Sequence, residues 1–190
     1  VAARPLEILT LGRQRLPQLA DDVARGIGEQ ESLAPLARAY LEDLLAGERH
    51  RAARRILDAA EAGAPIKDLY LHVFERCLHE IGALWQANQI SVAQEHYCTA
   101  ATQMVMSQLY PRIFTGRRSG LRFVATCVGG DLHEIGVRMV ADLLEMDGWD
   151  TYYLGASTPT ESVVRTVAER QPHVLGISAT MTAHLGHVRE

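Results

Sequence analysis

The first half of the chain repeats apolar residues at the three- and four-residue spacing of amphipathic helices. This spacing predicts four helices, over 32–46, 48–62, 65–85 and 91–110. Ser32 can cap the first helix, Pro65 is suited to the first position of the third, and Ser91 with Gln94 forms a capping box for the fourth. The connections are short, so we expect a four-helix bundle over residues 32–114, preceded by a connector over 1–31.

Beyond residue 120 the pattern changes to alternating strands and helices. Strands are predicted near 122–127, 151–154 and 173–178, and helices near 134–147 and 159–170. Such alternation indicates a parallel sheet with right-handed crossovers. The apolar face predicted for the first of these helices is Ile135, Met139, Val140, Leu143, Leu144 and Met146. Three strands do not complete a doubly wound domain, so we expect the α/β domain over 121–190 to lack its last part, with Met181–Glu190 beginning another helix.

The composition is that of an ordinary globular chain. Of its 190 residues, 47% are apolar and 22% are charged, and the net charge of -4 does not favour contact with nucleic acid. No apolar run is long enough to span a membrane. Cys77, Cys98 and Cys127 are far apart and form no Cys-x-x-Cys pair, which predicts packed thiols in a reducing, cytoplasmic setting.

Candidate chemistry lies directly after the first predicted strand. A Gly-Gly pair there is followed by Asp131 and His133, in a loop at the carboxyl end of a strand, where open α/β sheets bind ligands. A metal-binding imidazole needs a partner on its other nitrogen, and Asp131 can provide it. A lone loop histidine is nevertheless more often a solvated residue or a helix cap. His184 and His187 form a weaker candidate metal pair.

A second group of polar and aromatic residues lies where the third and fourth helices join. Trp85 ends the third helix and Glu95-His96 begins the fourth, and the connector 87–91 is short enough to make the two helices antiparallel neighbours. An indole, a carboxylate and an imidazole should therefore meet at one corner of the bundle. From spacing alone, a buried Trp85 with Glu95 supporting the helix dipole is the simpler interpretation.

Both groups match motifs of known families. Asp131-x-His133-x-x-Gly136 resembles the motif of cobalamin-binding domains of the methionine synthase type. Trp85, nine residues and then Glu95-His96 resembles the signature of the cobalamin-dependent photoreceptors, the group that contains a transcriptional repressor of carotenoid genes. That group joins a four-helix bundle to a Rossmann-like or flavodoxin-like cobalamin-binding domain, and the resemblance covers about residues 33–180.

The resemblance implies a role for each matching residue. His133 would be the lower axial cobalt ligand, Trp85 would cap the upper adenosyl group, and His96 would become the upper ligand after photolysis. The complete implied cofactor-binding set is Trp85, Val92, Glu95, His96, Asp131, His133, Gly136, Ser178 and Thr180. Ser178 and Thr180 match the family's position for contacts with the nucleotide tail. Gln86 departs from the pattern, because the best-known photoreceptors have a second histidine there.

The function implied is that of a light-sensing module and not of an enzyme. It would bind adenosylcobalamin base-off and His-on, and photolysis of the Co–C bond would shift the bundle against the α/β domain. Homo-oligomerisation is an open option, and an effector domain would lie outside this chain. The alternatives are a corrinoid methyl carrier of a methyltransferase system and, with fewer features in its favour, a flavodoxin-like receiver or nucleotide-binding domain.

Overall fold

The computed structural model describes residues 33–114, 116 and 118–184 of the chain. The described part begins with four helices: α1 (33–45), α2 (Arg49–Glu61), α3 (66–86) and α4 (Val92–Leu109). These helices confirm the predicted bundle. The predicted connector 1–31 and the cap at Ser32 lie outside the described residues, and the boundaries 32–114 and 121–190 stay predictions.

The helix ends follow local signals in the sequence. Gly47, just beyond α1, has a φ of +77°, a conformation that favours glycine. The predicted capping box before α4 is present, because Ser91 Oγ accepts the N–H of Gln94 at 3.2 Å and the Ser91 N–H donates to Gln94 Oε1 at 3.0 Å. Pro111 follows α4 inside a short 3-10 turn, Tyr110–Arg112.

Aromatic side chains fill the centre of the bundle. The ring of Phe74 lies 5.6 Å from that of Tyr40 and 5.5 Å from that of Tyr70, and all three are fully buried. Burial of side chains of this size is worth about 1.5–3 kcal/mol each. Tyr70 and Phe74 belong to a π-helical stretch of α3, Leu69–Phe74, which buries four of its six residues. The apolar spacing did not predict this widening of the helix.

The second half forms a parallel sheet. Its elements are β1 (Arg122–Cys127), α5 (Ile135–Met146), β2 (Asp150–Gly155), α6 (Thr160–Arg170) and β3 (Val174–Ser178). The strand order is β2-β1-β3, and β1 is parallel to both neighbours. Cys127 at the end of β1 pairs with Ser178 at the end of β3, so the loops that follow these strands leave the same edge of the sheet. The predicted fold class, a helical bundle followed by a parallel α/β sheet, is confirmed. Where a helix was expected from Met181, the structure describes a 3-10 turn over 182–184, and residues 185–190 lie outside the described residues.

Helix α5 packs between the bundle and the sheet. Ile135 and Met139 belong to the core of the bundle, whereas Val137 and Ala141 pack on the sheet. The single apolar stripe predicted for this helix was therefore wrong in detail, since Val140 is 47% exposed and Asp142 is buried. A helix with two packed faces does not have one apolar stripe. The buried Asp142 carboxylate accepts a hydrogen bond from the Tyr70 hydroxyl at 2.9 Å, which joins α5 to the bundle.

None of the described helices is both long and apolar enough to cross a membrane.

Candidate functional site

His133 lies in the loop between β1 and α5, and Asp131 fixes its position. Asp131 Oδ1 accepts the backbone N–H of His133 at 3.0 Å and lies 2.7 Å from His133 Nδ1. Asp131 Oδ2 accepts the N–H of Thr180, two residues beyond β3, at 2.6 Å. The carboxylate is completely buried, while the His133 side chain is 56% exposed. The sheet edge thus anchors the carboxylate and presents the imidazole to the surroundings.

The charge of Asp131 determines which nitrogen of His133 is free. Burial by itself would raise the pKa of this carboxyl, but the hydrogen bonds from the Thr180 and His133 N–H groups and from the His133 ring hold the pKa well below its usual range. An ionised carboxylate can only accept, so in the neutral imidazole Nδ1 carries the proton and Nε2 keeps its lone pair. No residue in the described ranges bonds to Nε2. This nitrogen is therefore available as a metal ligand.

The Glu95-His96 pair on α4 repeats the same arrangement. His96 Nδ1 contacts Glu95 Oε2, and the hydroxyl of Thr99 donates to Glu95 Oε1 at 2.8 Å. The His96 side chain is 74% exposed and the Glu95 side chain 24%. A second imidazole with its Nδ1 held by a carboxylate is thus present on the bundle. Thr99 was not predicted as part of this group.

Trp85 is not a core residue of the bundle. The apolar spacing of α3 places it beside buried positions such as Ile81, but Trp85 is 44% exposed. This overturns the simpler interpretation, in which a buried indole packs the corner. Val92, at the start of α4, is also exposed, as is Leu132 in the His133 loop. Exposed large apolar side chains beside polar ligand groups are typical of a ligand-binding surface.

One face of α4 leads from the Glu95 pair to the His133 loop. Glu95, Thr99 and Gln103 are four residues apart in succession and therefore share that face. Eight residues of α-helix correspond to about 12 Å along the axis. At the lower end of this face, Gln103 Nε2 donates to Oε1 of Glu134, the residue that follows His133. The two histidine sites therefore belong to one continuous region of the molecule.

The remaining predicted residues lie around the same loop. Gly136 is in the first turn of α5, and apart from its chain neighbours and its own helix backbone no atom of the described residues lies within 4 Å of the position that a Cβ would take there. Ser178 ends β3 and its carbonyl accepts the Val128 N–H at 2.8 Å. The structure brings the Thr180 N–H onto Asp131. Contact of Ser178 and Thr180 with a nucleotide tail stays a prediction.

Two neighbours of the loop were missed by the sequence interpretation as residues of this site. Glu134 bonds to the bundle, as described above. His184 Nδ1 lies 3.7 Å from Asp131 Oδ2 and is buried with no hydrogen-bond partner among the described residues. The sequence suggested His184 only as half of a metal pair, and His187 lies outside the described residues. No local pattern indicates either contact, because both join segments that are distant in the chain.

The donor set fits a metal that arrives already chelated. No group of three or more His, Cys, Asp or Glu side chains in the described residues could hold a metal ion. All three cysteines are buried free thiols, as predicted, and burial raises the pKa of Cys127 to about 11. His133 on the sheet edge and His96 on the bundle are both exposed, and each could supply one imidazole nitrogen to a transition metal that a macrocycle already holds. Exposed Trp85, Val92 and Leu132 provide the apolar surface that a large ring requires.

Two family matches cover most of the chain. Residues 121–190 match a family described as B12 binding domain, and residues 36–110 match a second family with the same description. The first match contains the Asp131–His133 loop, and the second contains α3 and α4 with the Glu95-His96 pair.

Individual proteins are similar over much of the chain. The HTH-type transcriptional repressor CarH of Myxococcus xanthus is 28% identical over 86% of this chain and 56% of its own length. Monomethylamine corrinoid protein 2 of Methanosarcina acetivorans is 30% identical over 67% of this chain and 61% of its own length. The chain thus spans less than two thirds of either relative. The solved structure of the Methanosarcina barkeri monomethylamine corrinoid protein is similar with a TM-score of 0.67 and 25% identity, over 82% of this chain and 73% of that one.

Proposed function

The chain belongs to the CarH-like family of cobalamin-binding proteins, and on that premise we propose that it is a light-sensing module for adenosylcobalamin and not an enzyme. One observation carries the proposal. Two imidazoles, His133 on the sheet edge and His96 on the bundle, each have a carboxylate on Nδ1, and an exposed indole lies on the bundle side.

The α/β domain would hold the cofactor from below. His133 Nε2 is the proposed lower cobalt ligand, in a base-off, His-on state, and Asp131 fixes the imidazole tautomer that ligation requires. Gly136 would leave room near the ring, because no other segment in the described part of the chain comes within 4 Å of the position that a Cβ would take there. Ser178 and Thr180 would contact the nucleotide tail at the end of β3.

The bundle would cover the cofactor from above. Trp85, Val92 and Glu95 are the proposed neighbours of the upper axial group, and the exposed apolar surface of Trp85 and Val92 would be buried on binding. Adenosylcobalamin supplies a Co–C bond that light breaks. With the bulky group gone, Trp85 would lose its packing partner and His96 could move towards the metal. The bundle would then shift against the sheet, which is a packing switch that needs no catalytic base.

Spectra recorded in the dark and after illumination test this function. The purified protein is loaded with adenosylcobalamin, desalted and illuminated. We expect the wild type to retain the cofactor and to give a photoproduct spectrum different from that of free photolysed cobalamin. His133→Ala should weaken retention by about tenfold or more. His96→Ala should retain the cofactor in the dark and change only the photoproduct.

His79→Ala is the matched control, since His79 is an exposed histidine of α3. It should behave as the wild type in both states. A wild-type photoproduct that matches free cobalamin, with no dependence on His96, would contradict the light-sensing proposal.

A second candidate function is a corrinoid methyl carrier. It is supported by the structural similarity to a monomethylamine corrinoid protein. A carrier needs an upper face that partner enzymes can reach, and the indole of Trp85 with the Glu95-His96 pair would obstruct it. Rapid methyl transfer from the methylcobalamin-loaded protein to a thiol acceptor, unaffected by Trp85→Ala, would favour the carrier.

A further inference from the structure

Glu134 joins three parts of the molecule next to His133. It is the residue that precedes α5, and its carboxylate is partly buried. Oε1 accepts the side-chain N–H of Gln103 on α4 at 3.0 Å, and Oε2 accepts the backbone N–H of Ala156 beyond β2 at 3.0 Å. One side chain therefore connects the His133 loop, the bundle and the turn that follows β2.

The backbone at the end of β2 lies close to this carboxylate. Gly155 has a φ of +77°, and a Cβ at this position would lie 3.2 Å from Glu134 Oε2. The Tyr153 hydroxyl is buried nearby, and both its burial and the negative charge of Glu134 raise its pKa. The hydroxyl consequently stays neutral. Any side chain at position 155 would crowd the carboxylate in the position that it now occupies.

His133 thus lies between two anchored carboxylates with different attachments. Asp131 joins it to the end of β3 through Thr180. Glu134 joins it to the bundle through Gln103. A displacement of α4 relative to the sheet must strain or break the Gln103–Glu134 bond, one residue away from the imidazole.

We propose that Glu134 is a positioning residue that couples the placement of the bundle to the placement of His133. The role rests on the proposed binding of cobalamin at His133, but not on light sensing. Glu134 would hold the loop in its ligating conformation while the bundle is docked. When α4 moves, the loop would lose this support.

Glu145, at the other end of α5, provides a matched control. It also joins the two halves, because its Oε2 accepts the Tyr110 hydroxyl at 3.2 Å and the Thr151 hydroxyl at 2.9 Å. It lies eleven residues from Glu134, about 16 Å along the helix. Loss of Glu145 therefore removes an equivalent connection without touching the His133 loop.

The test compares Glu134→Ala, Glu134→Gln and Glu145→Ala with the wild type. In the cofactor-free protein, hydrogen exchange of the amides over 129–134 and of Ala156 reports the order of the loop. Titration with aquocobalamin reports ligation by His133. We expect Glu134→Ala to accelerate exchange and to weaken aquocobalamin binding, each by about tenfold. Glu145→Ala should change both by less than about twofold.

Glu134→Gln keeps the shape and one acceptor oxygen, so it should fold as the wild type and give an intermediate effect. Gln103→Ala tests the connection to the bundle. When Gln103 is already Ala, Glu134→Ala should change amide exchange and aquocobalamin affinity distinctly less than it does in the wild type, because the hydrogen bond between the two side chains is already absent. Equal effects of Glu134→Ala and Glu145→Ala, or full additivity with Gln103→Ala, would overturn the proposal.

The two proposals fail separately. If the wild type binds aquocobalamin but shows no distinctive photoproduct, the light-sensing proposal fails. The aquocobalamin titrations of the Glu134 variants still decide whether Glu134 positions His133. If the wild type does not bind cobalamin, the proposed function fails, and with it the role of Glu134 in ligation. The hydrogen-exchange data then decide only whether Glu134 couples the order of the His133 loop to the bundle.

Discussion

The two carboxylate–imidazole pairs have the same chemistry in different surroundings. Asp131 is completely buried and accepts two backbone N–H groups as well as the His133 ring. Glu95 is 24% exposed, and its described partners are the His96 ring and the Thr99 hydroxyl, both on its own helix. The first pair is fixed by the tertiary structure of the sheet edge, and the second by one turn of helix.

This difference matches the two roles proposed for the histidines. A permanent ligand benefits from an orientation that the fold has already fixed, because less conformational entropy is then lost on ligation. A ligand that engages only after a light-driven change must be able to move. The buried anchoring of Asp131 therefore agrees with the fixed role proposed for His133, and the more exposed Glu95 pair agrees with the mobile role proposed for His96.

The largest expected effect is that of Asp131→Asn. The amide has only one acceptor oxygen, so an NH₂ group must face either the Thr180 N–H or the N–H groups of His133. We expect a loss of about 1–3 kcal/mol in the free energy of unfolding and a 10- to 100-fold weaker binding of aquocobalamin. Chemical denaturation measures the free energy of unfolding, and spectroscopic titration measures the affinity for aquocobalamin.

Glu95→Gln is the matched change in the second pair. It should leave dark binding of aquocobalamin within about threefold of wild type and cost less than about 1 kcal/mol, since the group is partly solvated. Equal losses in the two variants would remove the distinction between the pairs.

The pH dependence of stability should show the same contrast. The pKa of Asp131 is lowered in the folded state, so below the ordinary carboxyl value the unfolded chain binds a proton that the folded chain does not. The stabilisation by Asp131 is present above about pH 4 and is lost as the pH falls from there through the folded-state pKa. Denaturation midpoints measured from pH 7 to pH 3 should fall more steeply for the wild type than for Asp131→Asn. Parallel curves would mean that the carboxylate is not preferentially stabilised in the folded protein.

The smallest expected effect is that of Thr99→Val. The change removes the hydroxyl that Glu95 accepts and keeps the shape of the side chain. We expect a cost of about 0.5 kcal/mol in the free energy of unfolding, unchanged dark binding, and a different rate of photoproduct formation because the orientation of His96 is less restricted. Time-resolved absorption after a flash measures this rate. Thr102→Val, one turn on and bonded instead to Tyr40 in the core, serves as the control and should leave the rate unchanged.

Patterns within short segments determined much of what could be predicted. Apolar spacing, the Ser91 capping box and the alternation of strands and helices gave four helices, a parallel sheet and their order. The Asp131-x-His133 spacing predicted that the carboxylate would orient the imidazole, and this was possible because both residues lie in one loop. Glu95 and His96 were placed at one corner of the bundle from the sequence, but the contact between their side chains was not predicted.

Tertiary structure alone decided the rest, because it depends on contacts between segments far apart in the chain. The spacing of α3 gives Trp85 a core position, yet the way in which the helices dock leaves it exposed. The packing of α5 between bundle and sheet buries Asp142 on Tyr70 and brings Glu134 onto Gln103. Periodicity reports which face of a helix is apolar, but it cannot tell how many neighbours that helix will have or which distant donor will reach a given carboxylate.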